Sequence, residues 1–317
     1  MSSDTPSHVA HRRHVLLALA SVTFGSHGLA QAQQSGSAAA SSPYEPRRGQ
    51  PGKDVIWIPT PDVPVLRMLR LAHVTPQDYV IDLGSGDGKI VLAAAREGTR
   101  AHGVEYNPEM VELSKRRAQE AGLQERATFE KADIFEMDFA RATVITMYLL
   151  PELNLRLRPK ILSLKPGTRV VSHDFRMGDW KPEETSSMGS SSVHLWIVPA
   201  NVGGKWQLRW SGQTPIELTM DQTFQQFKGK AVFDKMETTL RETQLRGDAV
   251  QFAFTDARGV LRQFNGKVSD DRIEGTVEGV GAGARAQPFT AQRMGEAPAI
   301  NGATTSRLDE VQTLGDQ

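Results

Sequence analysis

The run Val80-Ile81-Asp82-Leu83-Gly84-Ser85-Gly86-Asp87-Gly88 limits the fold more than any other stretch. It reads as a short strand that breaks into a glycine-rich turn and feeds a helix at residues 89–95. The strand is apolar enough to be buried on both faces, as a central parallel strand must be. The glycines around Ser85 and Asp87 let backbone approach a ligand with no Cβ in the way. The helix that follows aims its first N–H groups over the turn. Phosphate and dinucleotide sites share this architecture. Asp82 narrows it, because a carboxylate before the first glycine suits a ligand with a cationic amino-acid end better than a pyrophosphate. Glu105 ends the next strand-like run, His102-Gly103-Val104-Glu105, where an acid can accept both hydroxyls of a ribose.

Residues 1–32 read as an export signal: Arg12-Arg13, an apolar run from Val15 to Phe24, and the small-x-small pattern Ala30-Gln31-Ala32. The run is too short to span a bilayer comfortably, so no integral membrane segment is expected after its removal. The paired arginines resemble a twin-arginine signal, from which His11 and Leu17 depart. Residues 33–52 are rich in Gln, Ser, Ala, Gly and Pro and read as a disordered linker. The folded part begins near Val55, and Thr60, before a helix opened by Pro61, is a candidate ligand contact. Asn107-Pro108 is a helix start, with a capping side chain and proline at the first helical position. Further strands are expected at 127–131, 142–148, 168–173 and 193–198. Strand-helix alternation over residues 53–202 specifies a mostly parallel sheet with helices on both faces, an α/β fold. From residue 203 the period changes to two. Strands are expected at 206–210, 215–220, 229–233, 249–255, 260–268, 272–280 and 287–293, with a hairpin turn at Asp256-Ala257-Arg258-Gly259. They read as a small all-β antiparallel C-terminal domain over 203–295, before a disordered tail at 296–317.

There are no cysteines, which excludes disulfides, zinc-thiolate sites, a catalytic thiol and a lipoprotein anchor. Lys+Arg and Asp+Glu both number 37, so no net charge suggests nucleic acid as a partner.

The pattern Asp-x-Gly-x-Gly-x-Gly at 82–88, followed by Glu105, resembles the class I S-adenosylmethionine-dependent methyltransferases, whose sheet is Rossmann-like. Four segments resemble a narrower family: Trp57-Ile58-Pro59-Thr60-Pro61, the glycine turn, residues 142–150 (ATVITMYLL), and residues 164–175 (LKPGTRVVSHDF). That family contains the archaeal broad-specificity protein-lysine methyltransferases and related mitochondrial lysine methyltransferases. The resemblance covers residues 55–200. It implies a monomer that takes S-adenosylmethionine as cofactor and a protein lysine as acceptor, with no metal. By position in the motifs, Asp82, Gly84, Ser85 and Gly86 would hold the methionine end and Glu105 the ribose. Asp133 would hold the adenine, and Ile134 would cover its ring. Met147 and Tyr148 would face the sulfonium and the incoming amine. His173 reads as a structural hydrogen-bonding group or as a base near that amine.

Two other readings stay open: an exported, non-catalytic binding or scaffold protein built on this fold, and a methyltransferase acting on a small molecule. The signal implies a periplasmic or secreted protein, whereas the cofactor is made in the cytoplasm. A cytoplasmic location follows if residues 1–32 are not a signal. The C-terminal domain is expected to position a partner or cover the acceptor cleft.

Overall fold

The computed structural model describes residues 44–210, 213–233, 236–279, 285–300 and 302. The signal-like residues 1–32, the first part of the linker and most of the C-terminal tail lie outside them. Residues 44–52 are part of the folded unit rather than linker. Their backbone pairs with the segment that follows, Gly49 N–H to Trp57 O at 2.8 Å and Trp57 N–H to Gln50 O at 2.9 Å. Tyr44 to Thr60 thus forms a strap.

The chain then alternates through α1 (Asp62–Leu71), β1 (Tyr79–Leu83), α2 (Lys89–Arg96), β2 (Arg100–Glu105), α3 (Pro108–Glu120), β3 (Ala127–Lys131), β4 (Val144–Met147), α4 (Pro151–Leu162), β5 (Arg169–His173), β6 (Glu184–Met188) and β7 (Ser191–Ile197). The seven strands form one sheet in the order β3-β2-β1-β4-β5-β7-β6. The first five are parallel, and β7 runs antiparallel to both of its neighbours. The order reverses between β1 and β4, and a doubly wound sheet opens its ligand crevice at the carboxyl ends beside such a reversal. Local chemistry sets the helix starts. The Asn107 side chain accepts from Glu109 N–H at 2.8 Å, and Pro108 needs no partner at the first helical position. Helices α1, α2 and α3 bury Val65, Met68, Val91 and Val111 on one face of the sheet. Helix α4 buries Leu153, Leu157 and Ile161 on the other, with Trp180 and Trp196.

Edge strand β6, Glu-Thr-Ser-Ser-Met, carries no apolar alternation, and only its pairing with β7 makes it a strand. The same holds for two short strands of the C-terminal domain. That domain comprises β8 (Gly204–Trp210), β9 (Ile216–Thr223), β10 (Gln226–Phe233), β11 (Met236–Thr239), β12 (Arg241–Arg246), β13 (Ala249–Thr255), β14 (Leu261–Ser269), β15 (Arg272–Gly279) and β16 (Gln287–Met294). Its order is β11-β10-β9-β8-β16-β15-β14-β13-β12, antiparallel throughout. Pairing of β16 with β8 brings the first and last strands together, so the sheet is a near-barrel with its seam between β11 and β12. Stacked aromatics fill it: Phe252 and Phe254 lie 4.8 and 4.9 Å from Phe264, and Phe289 meets Phe264 edge-on at 5.3 Å. The interior is a packed core rather than a ligand chamber.

The near-barrel joins the amino edge of the parallel sheet. Ile197 pairs with Arg169, the first residue of β5, and the chain leaves the sheet there. Ala200 N–H donates to Gly247 O at 2.8 Å, and a Cβ on Gly247 would stand 3.0 Å from Gly167 Cα. Phe224 stacks on Trp180 at 5.8 Å, and Trp180 Nε1–H donates to Gln225 Oε1 at 3.0 Å. The expectation that this domain covers the acceptor cleft is therefore not met. It is docked at the opposite end of the strands from the crevice, and none of its described residues lines the cavity.

Candidate active site

A cavity lies at the carboxyl ends of β1, β2 and β4, walled on one side by the strap. At its foot Asp82 is 2% exposed, and Thr146 Oγ1–H donates to its Oδ1 at 2.7 Å. Parallel register sets this contact, since Asp82 lies beside Thr146 across the β1–β4 ladder. No other hydrogen bond reaches this carboxylate among the described residues. Burial pushes the carboxyl up to about 7, the Thr146 bond opposes the rise, and Glu105 and Asp87 add to it. A buried acid without a cation is poorly matched to its surroundings until a cationic ligand arrives.

The turn above it has Gly84 at φ +77° and Gly86 at φ +52°, backbone that side chains rarely adopt. A Cβ on Gly86 would sit 2.5 Å from Trp57 Nε1, so the strap's indole rests against the turn. Glu105 accepts from Gly86 N–H and from Asn107 N–H, each at 2.9 Å. The carboxylate expected to take ribose hydroxyls thus also braces the turn. Asp133 accepts from Phe135 N–H at 2.9 Å and pairs with Lys53 of the strap at 2.5 Å. The Lys53 hydrogen bond holds the Asp133 carboxyl below its ordinary range.

Nine of the ten residues expected at the site line this cavity: Thr60, Asp82, Gly84, Ser85, Gly86, Glu105, Asp133, Ile134 and Tyr148. Ser85 is buried, with its hydroxyl turned toward Gly103 and unpartnered among the described residues. Met147 is the exception. It is fully buried in the apolar core beside Ile145, so it does not face a ligand. Tyr148, one residue on, reaches the cavity. Sequence reasoning missed Trp57 and Lys53 as wall residues and Thr146 as the partner of Asp82. Trp57 and Thr146 stand inside the family-like segments, while Lys53 stands between the expected linker at 33–52 and the first of those segments and carries no signal.

Tyr148 packs against His173 with ring centroids 4.2 Å apart and lies near-parallel to Phe175 at 6.0 Å. Burial pushes its phenol above the ordinary range, and Asp174 adds to the shift. The Tyr148 end of the cavity thus presents a neutral aromatic wall. The described residues hold no cluster of ligands for a metal ion.

The donor set fits S-adenosylmethionine: a buried carboxylate for an ammonium, bare backbone over the turn, an acid at the ribose position, and Asp133 with Ile134 for a purine. Residues 82–184 match the family model described as the ANTKMT methyltransferase domain. A protein-lysine N-methyltransferase of Saccharolobus islandicus (strain REY15A) is 40% identical over 45% of this chain and 94% of its own length. The chain belongs to the protein-lysine N-methyltransferase family. A mouse adenine nucleotide translocase lysine N-methyltransferase is 32% identical over 39% of the chain, a match spanning 55% of that relative. Among solved structures, an RNA methyltransferase from Salinibacter ruber in complex with S-adenosyl-L-homocysteine is 46% identical over 46% of this chain and 96% of its own, with a TM-score of 0.45. The chain is an S-adenosylmethionine-dependent methyltransferase with a Rossmann-like sheet and an added all-β domain.

Proposed function

We propose that the acceptor is the side-chain amine of a lysine in a protein, methylated at the aromatic end of the cavity. The similarity to the archaeal enzyme carries this reading, because it extends over nearly all of that relative. The geometry agrees with it. Bound between Asp82, Glu105 and Asp133, S-adenosylmethionine supplies a methyl group on a sulfonium, which is already an excellent leaving group. Asp82 fixes the amino-acid end by ion pairing, and the glycine turn lets backbone close on it. The remaining task is to align the amine and keep it neutral. A free lysine has a pKa of about 10.4, and a partly dry site beside a cationic sulfonium favours the neutral amine. Tyr148 lines that approach, with Phe175 stacked near it, and excludes water. Alignment can supply much of the rate without a dedicated base.

This reading includes action as a monomer, with no nucleic-acid acceptor. It also includes export to the periplasm or outside the cell, which rests on residues 1–32. Methyl-labelled cofactor added to an extract with the full chain, then resolved into protein, nucleic-acid and small-molecule fractions, tests it. Label is expected in protein. Label confined to either other fraction overturns the lysine reading, and absence of label despite cofactor binding favours the non-catalytic alternative.

A further inference from the structure

Behind Tyr148 three side chains form a relay that does not belong to the cofactor cavity. His173 ends β5 and is 2% exposed. Its Nε2 lies 2.7 Å from Ser191 Oγ, and Ser191 Oγ–H donates to Asp174 Oδ1 at 2.8 Å. A serine hydroxyl has one proton, and here Asp174 receives it. Ser191 therefore accepts from His173, so Nε2 carries the ring proton and Nδ1 keeps a bare lone pair. Nδ1 is buried and has no hydrogen-bond partner among the described residues. Asp174 is held in turn: it accepts from Ser192 N–H at 2.8 Å, and its own backbone sits at φ +60°. A non-glycine residue in that region costs energy and persists only where its surroundings impose it. Asp174 Oδ2 lies 3.4 Å from Nε2, His194 Nε2 lies 3.3 Å from the Asp174 carbonyl, and Tyr148 and Phe175 complete the surroundings.

The imidazole presents its ring to Tyr148 at 4.2 Å, and Tyr148, not His173, lines the cavity. An apolar ring could fill the same volume. A ring tied through one nitrogen to a hydroxyl and a carboxylate has a single orientation, which in turn limits the positions open to Tyr148. A second proton would have to go on Nδ1, where nothing accepts it, so the ring stays uncharged beside the site of an incoming amine.

We propose that His173 is a positioning residue for methyl transfer: locked as the Nε2–H tautomer by Ser191 and Asp174, it holds Tyr148 against the acceptor end of the cavity. This rests on the lysine reading above, and the test separates the two. Nitrogen-15 NMR of the full-length chain with labelled histidine, at pH 7.5, reads the tautomer without any acceptor. Wild type is expected to show His173 with Nε2 protonated and Nδ1 bare, and Ser191→Ala to show a mixture of tautomers. With poly-L-lysine as acceptor, Ser191→Ala is expected to lower kcat by about ten-fold or more. KM for poly-L-lysine, S-adenosylmethionine affinity and Tm should stay near wild type, and Ser191→Thr, which keeps the hydroxyl, should restore kcat. A doubly protonated or Nδ1–H ring in wild type overturns the proposal, as does an unchanged tautomer and kcat in Ser191→Ala. If wild type methylates no lysine, that reading falls and the NMR result alone decides whether the relay locks the ring.

Discussion

Lowering the pH from 7.5 to 6 should weaken S-adenosylmethionine binding about eight-fold, and the reason is Asp82. Its carboxyl is pushed up to about 7 in the folded chain, chiefly by burial. An ammonium ligand pairs with the carboxylate, so binding below that value must first expel a proton. The ionised fraction is about 0.76 at pH 7.5 and about 0.09 at pH 6, a ratio of about 8, or about 1.3 kcal/mol. About 0.9 proton should leave on binding at pH 6, against about 0.2 at pH 7.5. Calorimetric titration in two buffers of different ionisation heat measures both quantities. Stability should move the other way. An acid whose folded pKa is raised retains its proton between about pH 4 and 7 while the unfolded chain releases it. Its contribution is full below pH 4 and is lost as pH rises toward 7, by an amount on the order of 4 kcal/mol. Asp82→Asn keeps an oxygen for Thr146 and removes the charge. It should be more stable than wild type at pH 8, yet bind the cofactor weakly and without pH dependence between 6 and 7.5. Flat affinity with no proton release in wild type would refute the assignment of Asp82 as the partner of the ammonium.

Further outcomes follow from named contacts. Gly86→Trp should abolish cofactor binding by calorimetry while the chain keeps its far-UV circular dichroism, because any Cβ there meets Trp57 at 2.5 Å and the turn has φ +52°. Lys53→Met should let the Asp133 carboxyl return upward toward its ordinary range, read by carbon-13 NMR titration, since the Lys53 hydrogen bond is the first cause of its depression. Phe224→Ala should cost about 3–5 kcal/mol in denaturant unfolding, as a buried Phe loses its contacts, and leave cofactor affinity unchanged. Loss of cofactor binding in that variant would contradict the separation of the near-barrel from the cavity.

The parts of this protein that could be read from sequence are those where local chemistry and function coincide. The glycine turn at 84–88 needs positive φ and close backbone approach, and both are visible as glycine. Asn107-Pro108 caps a helix wherever it stands, and β1, β4 and β5 are apolar enough to be central. What stayed hidden depends on tertiary pairing. Strand β6 and strands β11 and β12 are polar and exist through their neighbours, so no periodicity marked them. Met147 was misplaced because alternation at the end of β4 turns it to the core and leaves Tyr148 to face the cavity. Lys53 sits just past the stretch that composition assigns to linker, outside any motif, and only its distant partner Asp133 reveals its place. The position of the near-barrel follows from the direction of β7, whose antiparallel pairing with β5 delivers the chain to the amino edge.

The most direct test of the central claim is residue-level mass spectrometry of proteins incubated with methyl-labelled S-adenosylmethionine and the full-length chain, with Gly86→Trp in parallel. Labelled methyl groups on lysine side chains, present with wild type and absent with the variant, are the result predicted here. Labelled methyl on nucleic acid alone, or none on any lysine from a chain that binds the cofactor, would contradict it.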